Sequence, residues 1–139
     1  MQDIELRRAE RERVFTLLYQ SEIYDTSPGT LLDSLITEES PYVQSRMRGI
    51  TNHLSAIDDL IASKARGWTI DRMPMIDRCL LRFGIYELRY EQSIPPAVAI
   101  AETVELAKQY STQDSARFVN GILAAVMGSD LPPTPEDDD

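Results

Sequence analysis

Three arginines near the start of the chain, Arg7, Arg8 and Arg11, are spaced so that a helix would gather them on one side. At about 100° per residue they fall within an arc of roughly 100°. A guanidinium group is permanently charged and presents a planar fork of donors, so such a stripe suits phosphate or carboxylate partners. Seven residues on, the same arc holds Val14, Phe15 and Leu18. The burying face of this helix therefore turns cationic toward its N-terminus, where the helix is expected to project beyond the core. Cations in the first turns oppose the helix macrodipole at about 0.3–1 kcal/mol each when exposed, which calls for compensating anions. Those anions are either the phosphates of RNA or another polyanion, or local carboxylates at i,i+4 spacing, such as Asp3 with Arg7 and Arg8 with Glu12.

Other residue types that perform chemistry lack the company they need. Neither GxGxxG nor GxxxxGK[ST] occurs, and the six glycines are scattered. A Ser/His/Asp or Cys/His nucleophile would have to use His53, the one histidine, which falls between the apolar Ile50 and Leu54 and reads as a surface or boundary residue. Cys79 lies in a strongly apolar helix, where a buried thiol is inert. One cysteine and one histidine fall short of a zinc constellation. The acid pairs Asp58-Asp59, Glu38-Glu39 and Glu102 with Glu105 read as solvated faces. The expectation is a non-enzymatic binding protein with no catalytic residue, no cofactor and no metal.

With 139 residues the chain suits one domain, expected over 1–129. Residues 130–139 read as a disordered, acidic, Pro-rich tail. The net charge of -9 argues against nucleic acid at first sight. Asp130, Glu136, Asp137, Asp138 and Asp139 belong to that tail, however, and all the cations except Lys64 and Lys108 are arginine. No apolar run approaches the roughly 20 residues of a membrane span, so a cytoplasmic protein without membrane contact is expected.

Period-2 patterns are nearly absent, whereas 3.6-residue apolar spacing recurs, so the fold class is all-α. The pattern predicts a first helix from about residue 4 to Tyr24, stopping before Ser27-Pro28-Gly29, and a short one over Leu31 to Ile36. Ser40-Pro41 supplies an N-cap and a first-turn proline for a long helix reaching Arg66-Gly67. Its apolar stripe is Val43, Met47, Ile50, Leu54, Ile57 and Ile61. Pro74 opens a helix to about Gln92 that is apolar round most of its circumference and should be central, with Gly84 permitting a close helix approach. Pro95-Pro96 starts a helix carrying Val98, Ala101, Val104 and Ala107 through Tyr110. A last helix from about Ser115 holds Val119, Ile122, Leu123 and Val126.

Three blocks in this order resemble the NusB family of transcription antitermination factors over residues 6 to 127. They are RRAERERVFTLLYQSE (7–22), RGWTIDRMPMIDRCLLRFGIYEL (66–88) and IPPAVAIAETVELAKQYSTQDSARFVNGIL (94–123). The resemblance implies a compact bundle of about seven helices, two three-helix units plus a connecting helix, without catalysis. It implies boxA-type single-stranded RNA as ligand, the small-subunit ribosomal protein NusE as partner, and indirect contact with other Nus factors and RNA polymerase during ribosomal RNA synthesis. NusE would be received by the exposed surface of the first helix and of the helices over 74–110. A homodimer is possible, because the family contains both monomers and dimers. By position, Arg7, Arg8 and Arg11 match the arginine-rich RNA-binding motif, and Tyr19 and Asp77 match its partner-facing and RNA-adjacent surface. Asp114, Arg117 and Phe118 match the start of the last helix, where RNA also approaches.

The chain departs from the pattern at Ala9 and Glu10, which interrupt a denser basic run, at Ala97 and at Ala101. A protein-interaction adaptor with weakened or lost RNA binding is therefore the alternative. Packing roles stand beside the functional ones. Trp68 reads as a hinge packing anchor ahead of a base-stacking platform, Phe118 and Asn120 as closing the last helix contact, Gly121 as allowing close packing, and Asp77 as pairing with Arg78 or Arg82.

Overall fold

The computed structural model describes residues 2–128, and within them every regular element is helical. The expectation for 130–139 lies outside the described residues. The helices are α1 (Gln2–Ile23), α2 (Pro28–Ser34), α3 (Pro41–Asn52), α4 (Leu54–Lys64), α5 (Met75–Tyr90), α6 (Pro96–Tyr110) and α7 (Gln113–Gly128), with one 3-10 turn at Ile70–Arg72. The first three pack on one another, as do the last three. Helix α4 connects the two units, touching α3, α5 and α7. Seven helices in two triplets with a connector match the expected architecture.

Local chemistry sets the boundaries. Helix α2 begins at Pro28 because the Ser27 hydroxyl accepts from the Thr30 N–H at 3.0 Å. Helix α1 stops before Ser27-Pro28 as expected, but α2 starts at Pro28 and not at Leu31, using the same Ser-Pro start that opens α3, where Ser40 Oγ accepts from Val43 N at 3.3 Å. The long helix expected over 40–66 is two, split at His53 (φ -114°, ψ 15°). Asn52 and His53 are weak helix formers, and the His53 ring stacks on Tyr90 with centroids 4.0 Å apart. The break occupies one residue, so the apolar stripe survives: Val43, Met47, Ile50, Ile57 and Ile61 are buried and Leu54 partly so.

Helix α5 is central as expected, burying Cys79, Leu80, Leu81, Phe83 and Ile85. A Cβ on Gly84 would lie 3.0 Å from Leu123 and Thr103 side-chain atoms, so this glycine does let α6 and α7 approach closely. Burial pushes the Cys79 thiol up to about 12, with nearby Glu22 adding to the effect, as an inert core thiol requires. Helix α6 buries Ala99, Thr103, Leu106 and Ala107, so of the apolar residues expected to define it only Ala107 is fully in the core, while Val98 and Ala101 are exposed. Val104 is partly buried against the core, so the expected stripe straddles the edge of the buried face: its second half packs and its first half is exposed.

Gly121 does not serve close packing. It is exposed and a Cβ there would meet nothing within 4 Å. Gly121→Ala should therefore stabilise the protein by up to about 1 kcal/mol, a rise of roughly 3–5 °C in Tm by calorimetry. Unchanged or reduced stability would mean that the position is crowded after all.

Candidate nucleic-acid interface

Helix α1 places the three stripe arginines in three different settings. Arg7 is half exposed, lies 3.4 Å from Glu10 and sets its guanidinium 4.1 Å from the Tyr42 ring centroid. Arg8 is more open, with 60% of its side chain accessible, and forks onto Glu102 of α6 through Nε at 3.2 Å and Nη2 at 3.1 Å. Those hydrogen bonds, then the Glu102 charge, hold its pKa above the ordinary arginine value. Arg11 is buried, with Nη1 3.3 Å from Glu102 and Nε 3.6 Å from Glu87. The expected projecting cationic end is thus corrected at Arg11, which faces the core as part of the apolar arc. Carboxylates do compensate the stripe, mostly from other helices and not from the i,i+4 neighbours.

Below Arg11 lies a buried ionic cluster that the sequence reading missed. Glu87 of α5 is fully buried, and its Oε2 accepts from Arg46 Nε at 2.7 Å and from the Tyr42 hydroxyl at 3.1 Å. Burial opposes the charge on Arg46, but Glu87 outweighs it and raises that pKa. Arg46 also lies 3.5 Å from Glu91, whose Oε2 accepts from the Tyr86 hydroxyl at 2.9 Å. Burial, then that hydrogen bond, pushes Tyr86 up to about 12. The available signal was Glu87 itself, an acid within an otherwise apolar central helix.

A second network ties α1, α4 and α5. Arg82 donates to both Asp58 oxygens at 2.9 Å and to Glu22 at 3.1 Å. Arg78 donates to Glu22 at 2.8 Å and to the Ile70 carbonyl at 2.8 Å. Asp77 was expected on a partner surface, or paired with one of these arginines. It is instead buried, at 4% exposure, with Ser115 of α7 as its hydrogen-bond partner. Burial raises its pKa against the opposing pull of Ser115. It pins the start of α7, and although its Oδ1 has no hydrogen-bond partner, burial keeps the carboxylate from a partner surface.

The remaining predicted residues stay at or near the surface. Tyr19 is partly buried, 6.5 Å from the Phe15 ring, which also contacts Tyr110 at 5.1 Å. Asp114 and Arg117 are exposed and pair with each other in the first turns of α7. Phe118 is partly buried and meets Trp68 edge-on at 6.1 Å. Trp68 is 45% exposed, more than a packing anchor should be. Among the described residues, no group of three or more His, Cys, Asp or Glu could hold a metal ion, and no helix is long and apolar enough to cross a membrane.

Two interlocked helix triplets with an arginine-bearing first helix define a bundle of the NusB type. A family model described as the NusB family matches residues 8–128, and the chain belongs to that family. A relative named Transcription antitermination protein NusB, from Salinispora arenicola, is 45% identical over 127 residues, covering 86% of this chain and 93% of the relative. The fold is similar to T. maritima NusB, with a TM-score of 0.80 at 36% identity, covering 91% of this chain and 93% of the other. It is also similar to a chain in a crystal structure of the antitermination factors NusB and NusE in complex with dsRNA. That match has a TM-score of 0.73 at 27% identity, covering 87% of this chain and 95% of that one.

Proposed function

We propose that the protein is a cytoplasmic transcription antitermination factor that binds boxA-type single-stranded RNA together with the ribosomal protein NusE during ribosomal RNA transcription. The observation carrying this reading is the exposure of Arg7 and Arg8 on α1, in a chain whose fold is shared with a chain from a complex of NusB and NusE with dsRNA. Both guanidinium groups can take up phosphate, Arg8 by exchanging its fork from Glu102 to the RNA. Arg117, Asp114 and Phe118 at the start of α7 would supply further RNA contacts. Tyr19 would lie toward NusE, and Asp77 would act indirectly by fixing α7. Arg11 supports the site through Glu102.

Replacing Arg7 and Arg8 together with alanine should weaken RNA binding about tenfold and flatten the slope of log K against log salt by roughly 1.4. Filter binding across a salt series, with and without NusE, reads both values. Identical isotherms for wild type and double variant would remove these arginines from the RNA site. A second reading, a protein adaptor without RNA contact, is favoured by the carboxylates already holding Arg8 and Arg11. Capture of NusE with no RNA binding, alone or in the complex, would support it.

A further inference from the structure

The cations of this protein are almost all spoken for. Apart from Arg89, which has a contact of its own, every described lysine and arginine outside residues 64–72 lies within 4.0 Å of a carboxylate. Lys64, Arg66 and Arg72 differ. Among the described residues none of them has an ion-pair partner, and Arg72 only adds to the field at its neighbour Asp71. Lys64 and Arg66 also sit at the C-terminal end of α4, where the helix dipole favours positive charge without an ion-pair partner.

At the centre of this stretch stands Trp68, the one tryptophan of the chain. Its loop is well fixed. Ala65 closes α4, Gly67 turns the chain at φ +80°, and the Trp68 N–H donates to the Ala65 carbonyl at 3.0 Å. The following 3-10 turn is held by Arg78, which donates to the Ile70 carbonyl, and by Met73, which is buried. Anchoring is thus performed by Ala65, Ile70 and Met73, and Trp68 is left over. Its ring rests against Phe118 and keeps nearly half of its surface open. An exposed indole in a fixed loop that also carries cations without ion-pair partners is the combination that single-stranded nucleic acid uses: bases stack on the ring while phosphates meet the charges.

We infer that the Lys64–Arg72 loop and Phe118 form a further single-stranded RNA contact, in which Trp68 stacks an unpaired base and Lys64, Arg66 and Arg72 neutralise phosphates. The inference rests on the RNA-binding reading above and extends it to residues far from the α1 arginines in sequence. A chain of contacts joins the two places. Gln109 and Tyr110 at the end of α6 touch Glu12 and Phe15 of α1, and α7 starts three residues after Tyr110 and carries Phe118 to Trp68. Duplex RNA has no free base face to offer, so the ligand is single-stranded.

Trp68 emission tests this directly in the full chain, with NusE present where binding needs it. A short single-stranded boxA-type RNA should quench the fluorescence and shield the ring from iodide, saturating with the filter-binding isotherm. Trp68→Ala should weaken binding about 5- to 150-fold, and Trp68→Phe should recover much of that. Arg66→Ala with Arg72→Ala should lower the salt slope by roughly 1.4. Bound RNA with unchanged emission and unchanged iodide access overturns the inference and leaves the RNA-binding reading standing. Equal quenching by heparin, which has no bases, overturns the stacking. Failure of the wild-type protein to bind RNA, alone or with NusE, overturns the RNA-binding reading and this inference together. The wild-type measurements decide the matter even if Trp68→Ala fails to fold.

Discussion

Replacing Glu87 with alanine should lower folding stability by about 3–5 kcal/mol, because it removes the carboxylate shared by two buried guanidinium groups. Arg46 and Arg11 have only 9% and 10% of their side chains exposed, so neither can turn to water in place of Glu87. Arg46 would keep Glu91 at 3.5 Å and Arg11 would keep Glu102 at 3.3 Å, both longer than the 2.7 Å contact that is lost. The Tyr42 hydroxyl would also lose its acceptor inside the core. Urea denaturation measures the effect as a fall in midpoint at unchanged m. A loss below about 1 kcal/mol would mean that the cluster is wet or rearranges, contrary to its burial. Glu87→Gln preserves shape and the Tyr42 acceptor while removing the charge, so it separates charge from packing.

The legible part of this protein was the part written in apolar spacing. The α3–α4 stripe, the encircled α5 and the last-helix core could be read because 3.6-residue periodicity follows from burial alone. Boundaries failed where one residue type serves two purposes. Ser27-Pro28 marks the stop of α1 as expected and also the start of α2, which apolar spacing alone places three residues later at Leu31. Helix α6 was read only in part because alanines line both of its sides, so spacing could not fix where the buried face begins. The ionic clusters were illegible for a different reason. Glu87 with Arg11 and Glu22 with Arg78 are long-range pairs, and no periodic signal links residues from separate helices. The arginine stripe was thus recognised on geometry that is correct, but its anions were sought among sequence neighbours, and most lie across the bundle. The same limitation tipped Trp68 toward packing and away from base stacking. Sequence shows an aromatic in a hinge, and only the packed structure shows that other residues do the anchoring.

Arg11 carries the second large expectation, and it separates structural from ligand-binding arginines on a single helix. Arg11→Met should cost about 2–3 kcal/mol, less than the Glu87 variant, because Glu87 retains Arg46 and Glu102 retains Arg8 after the change. Methionine suits the site, since Arg11 occupies the same arc as Val14 and Leu18 and its aliphatic stem is already buried. The variant should still fold, and once folded it should bind RNA within about threefold of wild type, because no phosphate can reach a side chain enclosed by Glu87 and Glu102. Arg8→Ala should do the reverse, leaving the denaturation midpoint essentially unchanged and weakening RNA binding, because an exposed pair contributes little to folding. Chemical denaturation and filter binding on the two variants side by side give four numbers, and the crossing pattern is what the geometry requires. If Arg11→Met abolished RNA binding at full stability, the buried guanidinium would have to swing out to meet phosphate. Helix α1 would then unlock from α5 and α6 on binding, and the ionic cluster would be a latch between free and RNA-bound states.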